Sequence, residues 1–133
     1  IAEFVYVIGG YTCSGAVNTV YRLCLETHEW SIMAPMAIAR YNFAVAMKDN
    51  YIYVFGGCGN NLSTERYSID NNAWEDLPNM SEGFRYGLCA VSTAGSEIYI
   101  VGGYATCSVE VLNTVTLTLK NGTYLHHMQQ LLC

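Results

Sequence analysis

The chain has few of the residues from which catalytic sites are built. Its 133 residues hold three histidines, His28, His126 and His127. His28 precedes Trp30 in an outer turn, and the adjacent His126 and His127 would point to opposite faces of a strand, so no pair of them can chelate one ion. There is no G-x-S-x-G, no H-E-x-x-H and no glycine-rich phosphate cradle opening a helix. Glu82, near Arg85, is an isolated carboxylate of the kind found in solvated loops. Lys plus Arg number six, scattered singly in a chain of net charge −5, which excludes a nucleic-acid-binding surface. No run of 18 apolar residues exists from which a membrane-spanning helix could form. What remains is a chain without an expected cofactor or metal site, 52% apolar and able to fill a core.

What is abundant is repetition. A run of large apolar residues ends in a double glycine three times, at Phe4–Gly10, Tyr51–Gly57 and Ile98–Gly103, and the second glycines are 47 and 46 residues apart. Trp30 and Trp74 stand 44 apart, and the dipeptides Arg40-Tyr41 and Arg85-Tyr86 stand 45 apart. The middle unit reads as four antiparallel strands. Phe43 to Met47 comes first, then an Asp49-Asn50 turn and Tyr51 to Phe55. Glu65 to Ile69 and Trp74 to Leu77 follow, joined through Asp70-Asn71-Asn72. The second strand is apolar at every position, which indicates cover on both faces. The double glycine lets the chain leave a crowded sheet at backbone angles closed to other residues.

The apolar run, Gly56-Gly57, Tyr67, Trp74, Pro78 and Met80 resemble the kelch repeat, and the resemblance covers nearly the whole chain. It implies an all-β fold: an incomplete β-propeller of about three four-stranded blades, in units of about 1–36, 37–81 and 82–133. The repeat would rest on Gly9, Gly10, Trp30, Gly56, Gly57, Tyr67, Trp74, Gly102 and Gly103. The first unit departs by carrying Leu23 at the Tyr67 position and a longer loop after Gly10. The third lacks a tryptophan, so Tyr124 is expected to stand in for it, after a third strand holding Leu117 and Leu119. The chain begins within a unit, which suits a fragment of a longer protein. An open arc of blades would leave two apolar faces and self-associate.

Loops after Gly-Gly and loops carrying Arg-Tyr should emerge on one rim. Most of the acidic residues fall instead in the outer strands and their turns. The candidate partner-binding residues are therefore Arg40, Tyr41, Arg85, Tyr86, Tyr11, Asn60, Asn61 and Tyr104. Arginine offers a planar fork of donors and tyrosine rigid amphipathic area, which together suit a peptide or protein ligand. A residue recurring in each unit could equally brace its loop through backbone carbonyls, and both readings of Arg40 and Arg85 stay open. The resemblance implies a partner-recognition module of an intracellular, cytoplasmic kelch-like adaptor, of the kind that serves ubiquitin ligases. A cytoskeletal or scaffold kelch protein is the alternative. An enzyme of the same fold, a copper-dependent sugar oxidase or a sialic-acid isomerase, is the alternative of another class.

The six cysteines read as reduced thiols. Cys24 and Cys89 are expected as small buried hydrophobes, and Cys13, Cys58 and Cys107 as unpaired residues of equivalent loops, too far apart to share a metal. Asn61-Leu62-Ser63, Asn79-Met80-Ser81 and Asn121-Gly122-Thr123 match the glycosylation pattern, which matters only in a secreted chain.

Overall fold

The computed structural model describes residues 3–58, 62–81, 86–104 and 108–121. Its strands are β1 (Phe4–Ile8), β2 (Tyr11–Thr12), β3 (Gly15–Ala16), β4 (Val20–Cys24), β5 (Trp30–Met33), β6 (Ala44–Lys48), β7 (Tyr51–Phe55), β8 (Thr64–Ser68), β9 (Ala73–Leu77), β10 (Cys89–Ser92), β11 (Glu97–Val101), β12 (Val109–Asn113) and β13 (Thr118–Asn121). Every pairing is antiparallel. β1-β4-β5 form a three-stranded sheet, β6 to β9 and β10 to β13 each a four-stranded one, and β2-β3 a small hairpin. This is an all-β, unclosed arc of three blades, as the repeat implies. The longer loop after Gly10 is accounted for by the β2-β3 hairpin.

Turn chemistry sets the strand ends. Asp49 and Asn72 take φ of 53° and 48°, the left-handed region that short polar side chains tolerate, and each reverses the chain between paired strands. β7 shows why its sequence does not alternate. Ile52 and Val54 face the first blade, Tyr53 and Phe55 face the third, and all four are buried. One cluster joins Val20 and Met36 to Val54, with Tyr6, Ile8 and Trp74 packed against it. The other joins Phe55 and Tyr53 to Ile98, Ile100 and Leu112. Burial of each such side chain stabilises the arc by about 1.5–3 kcal/mol relative to exposure, so the blade interfaces hold the molecule together.

At the leading end the pattern is interrupted. Register places Val5, Val7, Tyr21, Leu23, Trp30 and Ile32 on the face of the first blade turned away from the second. Trp30 is 58% and Ile32 80% exposed. Among the described residues the first blade has no strand corresponding to β6, and Val45 and Met47 of β6 lie exposed.

Trp74 does more than fill space. Its Nε1–H donates to Ala34 O at 2.8 Å, while Asn72 Oδ1 accepts from Ala34 N and from the Tyr67 hydroxyl, both at 2.8 Å. The outer end of the second blade thereby holds the segment leaving the first. Trp74→Phe should cost about 1 kcal/mol by stranding that carbonyl. Trp30→Phe, at the equivalent but exposed position, should stay within about 0.5 kcal/mol, and urea titration of the two variants side by side checks the difference.

The third blade corrects two expectations. Leu117 and Leu119 do not lie in its third strand: that strand is β12, Leu117 sits in the following turn at φ 53°, and Leu119 belongs to β13 opposite Leu112. Since Trp74 pairs with Tyr67 in the same register, Leu119 takes the tryptophan place and Leu112 the tyrosine place. Tyr124 lies outside the described residues. Cys89 is exposed, because it pairs with Val101 on the blade face turned away from the second blade, which no described residue covers; Cys24 is half-buried.

Candidate functional site

The Gly-Gly ends and the Arg-Tyr segments meet backbone to backbone on one side of the arc. Gly10 N donates to Arg40 O at 2.9 Å, Cys58 N to Tyr41 O at 2.9 Å and Tyr104 N to Tyr86 O at 2.9 Å. Tyr41 and Cys58 form an isolated antiparallel bridge. Each bond ties the connection entering a blade to a loop that follows a double glycine. Of the expected contact residues, Tyr11, Tyr41, Tyr86 and Tyr104 lie at or beside these bonds, while Asn60, Asn61 and Arg85 lie outside the described residues.

Those four make a row of phenols spread over the three blades. Tyr11 meets Tyr41 edge to face with ring centroids 4.7 Å apart, and Tyr86 stacks on Tyr104 at 5.0 Å. Tyr11 is 67% and Tyr104 63% exposed, whereas Tyr41 and Tyr86 are half-buried beneath them. The Tyr41 phenol is raised above the usual tyrosine value, first by its side-chain hydrogen bond with Cys58 and the charge Cys58 would carry when ionised, then by burial, and last by Tyr11 and Tyr86. Burial, followed by Tyr104 and Cys58, pushes Tyr86 the same way. Such rings present a large rigid area and a hydroxyl at little cost in side-chain entropy.

Arg40 is absent from this surface. It is wholly buried, and its guanidinium donates to Gly56 O at 2.7 Å, Ser63 O at 3.2 Å and Ser63 Oγ at 2.8 Å, and pairs with Glu65 Oε2 at 2.6 Å. Its own backbone donates to Val17 O at 3.2 Å and accepts from Gly10 N. Of the two readings of this arginine, the geometry gives the brace: its backbone grips the first blade and its side chain the second. As a partner contact it is corrected, since it offers a ligand no surface.

The acceptor of the brace was missed in the sequence. Glu65 Oε1 also takes Ala37 N at 2.9 Å, and the equivalent Glu110, itself buried, takes Ser81 N at 3.2 Å. A signal existed, because Arg40 precedes Glu65 by the same 25 residues that separate Arg85 from Glu110. Cys58 was likewise read only as a loop cysteine, although it holds the place in its unit that Tyr11 and Tyr104 hold in theirs. Among the described residues no group of three metal-ligating side chains converges.

With Arg40 internal, the described rim bears no exposed charge. Of the loop residues 11–17, 34–41, 58, 62–63, 79–81, 86, 104 and 108, Arg40 is the one ionisable by more than a thiol or phenol, and Glu65 neutralises it.

Comparison with known proteins agrees with this repeat architecture. The sequence profile of the Kelch motif matches residues 5–37 and 39–81. Human Kelch-like protein 38 is 31% identical over 107 residues, covering 74% of this chain and 18% of its own length. Kelch-like protein 26 of Danio rerio is 32% identical over 121 residues, covering 85% and 20%. Beta-scruin of Limulus polyphemus is 33% identical over 113 residues, covering 77% and 12%. The chain thus spans about a fifth or less of the length of these relatives.

Proposed function

This chain belongs to the kelch repeat family, and on that premise we propose that its tyrosine-lined rim docks another protein, as the partner-recognition part of an intracellular kelch-like adaptor. The observation that carries this reading is the row Tyr11, Tyr41, Tyr86 and Tyr104, drawn from all three blades and held in place by backbone bonds instead of by one another alone. Tyrosines gathered on exposed loops over a rigid scaffold are the usual anchors of protein interfaces. Membership of a cytoplasmic ubiquitin-ligase adaptor rests on the resemblance to kelch-like adaptors and belongs to this proposal.

The test is proximity labelling in cells with the full-length protein and its Tyr11→Ala/Tyr104→Ala variant. Neither ring is buried, so the fold should persist by circular dichroism, while two lost anchors should weaken each rim partner by about tenfold or more. In the adaptor reading those partners also accumulate when the rim is altered. An unchanged partner set in a folded variant would refute docking at the rim; lost partners that fail to accumulate would remove the ligase role and favour a scaffold.

A further inference from the structure

We propose that the first blade carries a binding site for a carboxylate, formed by Arg22, Tyr6 and Ser31 on the face turned toward the second blade and separate from the tyrosine row. The second blade supplies the pattern. There the Arg66 guanidinium stacks on Tyr51, with Cζ 4.3 Å from the ring centroid, hydrogen-bonds the Tyr53 side chain and donates through Nε to the carboxylate of Glu75. Register sets Tyr53 and Glu75 opposite Arg66 on the strands to either side. Arginine, phenol and carboxylate thus close into one polar group on a sheet face.

The first blade repeats this group without its acid. Phe4 and Tyr6 stand 47 residues before Tyr51 and Tyr53, and Arg22 lies opposite Tyr6 as Arg66 lies opposite Tyr53. The Arg22 Cζ sits 4.4 Å from the Phe4 ring centroid, the same stacking. On its other flank Arg22 meets Ser31, where Arg66 meets Glu75. Arg22 belongs to neither of the ion pairs Arg40–Glu65 and Arg66–Glu75, and the exposed Glu3 and Glu29 of its own blade make no ion pair with it. The Tyr6 hydroxyl is buried with no hydrogen-bond partner among the described residues. In the third blade Val111 and Lys120 hold the arginine and glutamate places, so the arrangement belongs to the first blade alone among the three.

These donors define the ligand. A buried hydroxyl without a partner and a half-buried guanidinium have both given up hydration, and one anionic acceptor satisfies the two together. Stacking on Phe4 fixes the plane of the guanidinium and so directs its fork, which matches a carboxylate. Glu75 marks where that carboxylate lies: beside Ser31, whose hydroxyl is a further donor. Tyr67 of the second blade walls the face, its ring centroid 6.1 Å from that of Tyr6, and the partial cover strengthens each charged bond. The carboxylate can come from an Asp or Glu side chain of a docked protein or from a free small acid.

Titration of the full chain with N-acetyl-glutamate amide, acetate and N-acetyl-glutamine amide at constant ionic strength, followed by NMR at the backbone amides of residues 6 and 22, tests this. Saturable shifts are expected with both carboxylates and none with the glutamine amide. Glutamate amide binding about tenfold tighter than acetate assigns the site to a protein side chain, and equal affinity assigns it to a free acid. Arg22→Lys, which keeps the charge and loses the fork, should weaken binding about tenfold. Ser31→Glu, which supplies the acid that Glu75 supplies in the second blade, should abolish binding and raise the urea midpoint. Tyr11→Ala/Tyr104→Ala should bind both acids unchanged, and loss of binding there would move the carboxylate to the rim and overturn the site. No response to either acid, an equal response to the glutamine amide, or binding undiminished in a folded Ser31→Glu variant likewise overturns it.

Discussion

Arg40→Ala should destabilise the protein by about 3–5 kcal/mol, the scale of removing one member of a buried ion pair. The loss has several parts. Glu65 would be left a buried carboxyl at 1% exposure with Ala37 N as its remaining partner, and the carbonyls of Gly56 and Ser63 would lose donors. Against a total stability of roughly 5–15 kcal/mol for a domain, this removes a large share. Glu65→Ala should cost a similar amount, because it leaves the guanidinium buried among neutral groups. The pair is coupled, so the Arg40→Ala/Glu65→Ala double variant should be less destabilising than the two single alanine variants added together, by roughly 0.5–3 kcal/mol. Arg40→Lys cannot substitute, since a single ammonium cannot reach a backbone carbonyl, a hydroxyl and a carboxylate with the fork geometry seen here. Urea unfolding of the four variants gives the coupling directly. A loss under about 0.5 kcal/mol in Arg40→Ala would mean that the brace contributes nothing and that the blades hold by apolar contact alone.

This arginine marks the limit of what the sequence discloses. Blade number, strand order and turns were legible because glycine pairs, Asp49 and the aromatic runs each impose a local backbone or packing requirement that needs no partner to be recognised. The side of the arc on which the loops gather was legible too, since strand reversal alone determines it. Burial of Arg40 was not, because arginine is almost never fully buried unless paired, and the pair is visible only as an offset repeated at Arg85 and Glu110. The third blade was misread for a related reason. The expectation followed aromatic identity, whereas hydrogen-bond register decides the matter, and Leu119 meets Leu112 where Trp74 meets Tyr67. Cys89 turned out exposed because cover depends on the neighbouring blade and not on the strand that carries the residue.

Gly57→Ala should be the second severe change, and its comparison with Gly10→Ala separates two causes usually confounded at glycine. Both residues close a double glycine, with φ of +98° for Gly57 and +115° for Gly10, so an alanine pays a comparable backbone strain of about 1–3 kcal/mol at either. Their surroundings differ. A Cβ on Gly10 would meet nothing within 4 Å, whereas one on Gly57 would lie 2.8 Å from Tyr41 O and 2.8 Å from Phe43 Cβ. Neither neighbour is the free end of a side chain, so relief requires moving the segment that carries Tyr41 away from Cys58 and opening their backbone bridge. Overpacking of this kind adds about 1–3 kcal/mol, and Gly57→Ala should exceed Gly10→Ala by that margin in urea titration. Because the displaced segment is the one that seats Tyr41 in the rim, Gly57→Ala should also speed the reaction of Cys58 with a thiol reagent, while Gly10→Ala leaves it unchanged. Equal losses in the two variants, with equal Cys58 reactivity, would show that backbone strain alone dictates glycine here and that the close approach of the two loops does not position the tyrosine row.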